Sequence, residues 1–83
     1  MFSFDIKKPA DIAETLKSVE YKIKSSGGLF SGDERSGSFT NRARDVAGRY
    51  ASGDSGIKIT ITKKPFIYPY SAVESRIREY FES

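Results

Sequence analysis

One run of six residues does most to restrict what this chain can become. In Ile57-Lys58-Ile59-Thr60-Ile61-Thr62, every second residue is isoleucine and the residues between are lysine or threonine. A period of two, rich in β-branched residues, specifies a strand with one apolar and one polar face. Such a strand is unstable alone in water. The rest of the chain must supply neighbouring strands and a cover for the isoleucines.

The neighbours are legible on either side. Val46, Gly48 and Tyr50 alternate with Ala47, Arg49 and Ala51, and Ser52-Gly53-Asp54-Ser55-Gly56 turns the chain into the isoleucine strand. Pairing Tyr50 with Ile57 places Gly48 opposite Ile59 and Val46 opposite Ile61, so both apolar sets share a face. Earlier, Leu29-Phe30-Ser31 and Gly37-Ser38-Phe39-Thr40 flank the polar turn Gly32-Asp33-Glu34-Arg35-Ser36, and Asn41 to Arg44 makes a second connection. At the start, Phe2, Phe4 and Ile6 alternate with Ser3, Asp5 and Lys7, giving a strand able to close the sheet beside the isoleucines.

Two helices provide the cover. Pro9 opens the first, where a missing N–H costs nothing, and Asp11 and Glu14 fall near its positive end. Ile12, Leu16, Val19 and Ile23 follow at spacings of four, three and four, one stripe along a helix that Gly27-Gly28 ends. Tyr21 lies opposite the stripe and is expected in solvent. Ser71 with Glu74 three residues on predicts a capping box for the second helix, whose buried stripe is Val73, Ile77, Tyr80 and Phe81. The expectation is one α+β domain over residues 1–83, in the order β-α-β-β-β-β-α. It has an antiparallel sheet with two amphipathic helices packed on one face.

Composition narrows function mainly by subtraction. The chain has no cysteine and no histidine. Disulfides, thiolate metal sites and cysteine nucleophiles are excluded, as are histidine bases and ligands. The acidic residues fall in turns (Asp33, Glu34, Asp54) or on outward helix faces (Glu14, Glu20, Glu82), without apolar surroundings to raise their pKa. Gly28-Leu29-Phe30-Ser31-Gly32-Asp33 lacks the lysine and following helix of a phosphate-binding loop. We expect no catalytic residues, no metal, no cofactor and no enzyme. Met1-Phe2-Ser3-Phe4-Asp5 lacks the pattern of a signal peptide, and no apolar stretch approaches the ~18–20 residues of a membrane span. A cytoplasmic protein is the expectation.

Two surfaces attract attention. Lys64-Pro65-Phe66-Ile67-Tyr68-Pro69-Tyr70 packs four large apolar residues and two prolines into seven positions, more than a strand-to-helix connection needs. Aromatic rings with a polar tip suit the mouth of a cavity between helix and sheet, which makes Phe66, Tyr68 and Tyr70 candidates for holding a partner. That partner is an apolar or amphiphilic ligand, a polymer surface or a protein. The plainer reading is that all four large side chains cap the core, because a chain this small buries only roughly 60–65% of its unfolded surface.

The second surface is basic. Residues 42–64 hold six basic side chains (Arg42, Arg44, Arg49, Lys58, Lys63, Lys64) against two acidic ones (Asp45, Asp54), a net +4, while the rest of the chain nets −1. Arg49 and Lys58, as cross-strand neighbours on the outer face, would join Arg42, Arg44 and Lys64 in a polyanion surface for nucleic acid. The plainer reading is a solvated outer face, because sheets that bind single strands carry stacking aromatics there. The Leu29–Thr40 strands lack lysine guards, so a homodimer through the sheet edge is also open.

The run Gly56-Ile57-Lys58-Ile59-Thr60-Ile61-Thr62-Lys63-Lys64-Pro65-Phe66, with the helix ending Ile77-Arg78-Glu79-Tyr80-Phe81, resembles small bacterial polyhydroxyalkanoic acid system proteins. The likeness covers roughly residues 28–83. It consists of a hydrophobic pattern punctuated by glycine and proline, and the helix-and-meander order resembles a reduced helix-grip fold. The resemblance implies a helix gripped by a curved sheet and the binding of lipids or other apolar ligands. It supplies no site residues to carry over.

Overall fold

The computed structural model describes residues 2–41 and 45–82. Its elements are β1 (Phe2–Lys7), α1 (Ile12–Ser25), β2 (Gly28–Gly32), β3 (Ser36–Asn41), β4 (Val46–Ser52), β5 (Gly56–Lys63) and α2 (Tyr70–Glu82). This is the α+β order expected. The strands form one antiparallel sheet in the spatial order β1-β5-β4-β3-β2. The first strand thus closes onto the isoleucine strand, pairing Phe4 with Ile59 and Ile6 with Ile57. The sheet edges are β1 and β2, so β3 is internal and only the short β2 offers an edge from the Leu29–Thr40 pair.

Ile57, Ile59 and Ile61 are buried, together with Phe4, Ile6, Phe39 and Tyr50 from the same sheet face. Leu16, Val19 and Ile23 of α1 and Val73, Ile77 and Phe81 of α2 complete the cluster. Both helices therefore lie on that face, and Tyr21 is exposed as its helical position requires.

Two local expectations about the sheet need correcting. Tyr50 lies opposite Ile59, Gly48 opposite Ile61 and Ser52 opposite Ile57, two residues away from the pairing inferred above. The turn is tighter than a five-residue loop: the Gly53 N–H donates to the Gly56 carbonyl at 2.8 Å, which draws Ser52 and Gly56 into the strands. Because the slip is even, every side chain keeps its face. An irregularity at Ala47/Gly48 then brings Ala47 opposite Lys63 and leaves Thr62 as the extra residue of a bulge.

Between β3 and β4, two glycines make room for rings. Phe39 faces Gly48 and Tyr50 faces Gly37. A Cβ at Gly48 would stand 2.6 Å from the Phe39 ring, and one at Gly37 would stand 2.5 Å from the Tyr50 hydroxyl. The rings lie across the glycines, so the hairpin is bound by alternating aromatic–glycine pairs.

Both helix starts differ from the sequence reading. Asp11 is the N-cap of α1, its carboxylate accepting from the Glu14 N–H at 3.1 Å, so Pro9 lies ahead of the helix. In α2 the Ala72 and Val73 N–H groups both donate to the Pro69 carbonyl, at 3.1 and 3.3 Å. The helix consequently begins at Tyr70, and Ser71 sits inside its first turn. Among the described residues Ser71 makes no capping bond, and Glu74 accepts from Arg78 at 2.8 Å instead. The expected capping box does not form.

Candidate functional site

The strands set up two unlike ends of the molecule. At one end lie the last residue of β3, the start of β4, the end of β5, the C-terminus of α1 and the start of α2. There the helices and sheet enclose an open cavity of about 150 Å³. Its apolar lining includes Ile23, Phe39, Val46, Val73 and Ile77, and Tyr68, Tyr80, Asn41 and Arg76 also border it. Apart from the partly exposed Val46, the apolar residues are buried, whereas the polar-tipped ones are partly or fully exposed. Ala72 also lines the space and offers only a methyl group, so the first turn of α2 does not fill it.

The three junction residues nominated from the sequence separate in space. Tyr68 borders the cavity and packs against the core. Tyr70 turns the other way: its ring stacks on Phe2 at 4.7 Å, and the Lys64 ammonium stands 4.7 Å from its centroid. Phe66 touches neither, being 98% exposed, and Ile67 beside it is 78% exposed. The plainer reading, in which all four cap the core, is therefore wrong for Phe66 and Ile67, and also for Tyr70, which is 39% exposed and lies outside the core cluster. The remaining cavity residues escaped the sequence reading. A signal was present for one wall: Ala72, Arg76 and Tyr80 are spaced by four and run beside the buried row Val73, Ile77 and Phe81.

The basic candidates are not gathered into one surface. Arg42 and Arg44 lie outside the described residues. Arg49 pairs with Thr60 and Ser38, while Lys58 pairs with Ala51 and with Asp5 of β1. The two-residue slip turns the expected direct Arg49–Lys58 pair into a diagonal one, and Asp5 opposes the lysine charge. Arg49 and Lys58 still share a shallow outer hollow with Ser38 and Thr60. Lys64 belongs to the junction, where its ammonium donates to the Pro65 carbonyl at 3.3 Å.

The opposite end holds two perturbed titrating groups. Two backbone N–H groups, of Arg35 at 2.8 Å and Ser36 at 3.1 Å, donate to the Asp33 carboxylate and hold its pKa below the usual value. Tyr50 donates its hydroxyl to the Asp33 carbonyl at 2.7 Å. Burial, reinforced by the Asp33 and Glu20 charges, pushes the Tyr50 pKa up to about 12. These are features of a tied turn. No cluster of three metal-ligating side chains occurs among the described residues, and none of their helices is long and apolar enough to cross a membrane.

No match is found among protein-family models, curated proteins or solved structures. The functional reading therefore rests on this geometry.

Proposed function

We propose that the chain is a non-catalytic binding module that takes an apolar or amphiphilic ligand in the cavity bordered by Tyr68. The carrying observation is the cavity itself: an apolar-lined space between α2 and the sheet, edged by exposed polar-tipped side chains. A dry apolar cavity of about this volume accommodates a molecule of benzene size. Dedicated ligand sites run to roughly 300–1,000 Å³, so the ligand buries one apolar end and leaves the rest at the mouth. Arg76 stands at the border and is positioned to meet an anionic head group.

The test is an amide NMR titration of the labelled chain with hexanoate, repeated with A72F. Saturable shifts confined to the cavity elements, abolished by the phenylalanine that fills the space, are the expected result. Shifts that persist in A72F, or none in the wild type, would refute the proposal. A short single-stranded oligonucleotide is the matching control. Salt-sensitive shifts around Arg49 and Lys58 would move the reading to a polyanion surface.

A further inference from the structure

The chain between β5 and α2 reverses in a hydrogen-bonded turn, with the Tyr68 N–H donating to the Pro65 carbonyl at 3.2 Å. Its two corner positions are Phe66 and Ile67. Turn corners favour glycine, proline, asparagine, aspartate and serine, for reasons of backbone conformation and local hydrogen bonding. Here they hold two large apolar side chains that are 98% and 78% exposed. The fold draws almost no burial from Phe66 and little from Ile67, in a domain short of surface to bury. Pro65 and Pro69 bracket the turn and stiffen it, so the pair is held out from the body.

The charges around this tip are not those of the far end. The connections at the far end hold Asp11, Asp33, Glu34 and Asp54 against Lys8 and Arg35. At the tip end Lys63 and Lys64 adjoin the turn directly. Lys63 bridges Asp45 at 2.9 Å, but both partners are more than half exposed, and such a pair yields readily to a competing phosphate. An apolar tip beside lysines and two tyrosines has the composition of a membrane interface, where apolar groups sit deepest, aromatic rings at the headgroup level and cations among the phosphates.

We propose that Phe66 and Ile67 form an interfacial anchor that inserts into an anionic lipid leaflet, with Lys63 and Lys64 at its phosphates. A protein partner fits less well. An interface stable enough to be specific buries ~1,200–2,000 Å², which a two-residue projection does not supply, whereas a lipid surface deforms around a projection and needs no matching pocket. Attachment through two side chains is weak and reversible. The anchor stands without the cavity proposal, although Tyr68 belongs both to the turn and to the cavity border, so insertion brings the cavity mouth against the leaflet.

Flotation with phosphatidylcholine vesicles, with and without phosphatidylglycerol, tests this directly. The wild type is expected to float with the anionic vesicles. F66S/I67S, which alters only exposed side chains, should melt as the wild type does and lose partitioning by on the order of a hundredfold. K63Q/K64Q should lose about fivefold per lysine. A wild type that ignores anionic vesicles, or self-associates through Phe66 without binding them, overturns the anchor. So does an F66S/I67S chain that floats normally. A72F separates the two proposals: normal flotation without hexanoate shifts supports an anchor independent of the cavity. Lost flotation in A72F alongside normal flotation of F66S/I67S would assign vesicle binding to the cavity and overturn the anchor.

Discussion

Removing the Tyr50 hydroxyl should destabilise the domain at neutral pH and flatten its response to alkali. The ring is 2% exposed, stacks on Phe30 at 5.6 Å and meets the edge of Phe81 at 6.3 Å. Its hydroxyl donates to the Asp33 carbonyl at 2.7 Å and so ties β4 to the β2–β3 turn. Tyr50→Phe keeps the ring and deletes that bond. The net value of a neutral hydrogen bond is about 1 kcal/mol, and the acceptor lies on an exposed residue where water can replace the donor, so the loss should be about 0.5–1 kcal/mol. With a urea m-value of about 1 kcal/mol/M, the midpoint falls by roughly 0.5–1 M.

The pH dependence follows from the raised pKa. Below the ordinary tyrosine value of 10.0 the hydroxyl is protonated in both states, and its contribution is fully present. Between pH 10.0 and about 12 the unfolded chain loses the proton that the folded state keeps, so stability falls as pH rises. Two pH units correspond to about 2.7 kcal/mol at most. The hydroxyl lies beside an exposed turn, where screening reduces this to about 1–2 kcal/mol. Urea titrations of wild type and Tyr50→Phe at several pH values, followed by circular dichroism, should show the gap between them closing over this window and then reversing, because the alkaline loss exceeds the neutral-pH gap. A gap that stays constant from neutral pH to pH 12 would refute the burial and hydrogen bonding assigned to the hydroxyl.

The two helix starts give opposite expectations for outwardly similar changes. Asp11→Ala should cost about 0.5–2 kcal/mol through loss of a working N-cap, whereas Ser71→Ala should leave the thermal midpoint within error; a larger loss from the serine change would restore the capping box. Ile59→Asp should abolish cooperative unfolding, because the residue is 0% exposed at the centre of the sheet and an unpaired carboxylate there has no partner. An unaltered melting curve would reverse the face assignment of β5.

The strands were readable because their signal is a parity. Ile57, Ile59 and Ile61 must share a face whatever they pair with, and an error of two residues in register left the predicted sheet core intact. Helix starts carry no such redundancy. Ser71 and Glu74 have the spacing of a capping box, yet Pro69 offers its carbonyl to two N–H groups and begins the helix before the serine can cap it. A choice between two adjacent starts turns on backbone geometry that residue types do not state. The cavity was harder still. Ile23, Phe39, Val46, Tyr68 and Ile77 meet there from five separate segments, and only Tyr68 stood out along the chain.

The junction shows where hydrophobicity stops being a guide to burial. Phe66, Ile67, Tyr68 and Tyr70 look alike in sequence, and a small domain has reason to bury them all. Their fates are decided by the turn: once the Tyr68 N–H closes on Pro65, the two corner residues must point away from the body, and only the flanking tyrosines can turn back. Tyr70 then finds Phe2 and Lys64, and Tyr68 reaches the cavity. The exposure of Phe66 and Ile67 thus follows from the fold, but their apolar character does not, since serine or asparagine would serve a turn corner at least as well. That mismatch between what the turn needs and what it carries is what points to a surface outside the chain.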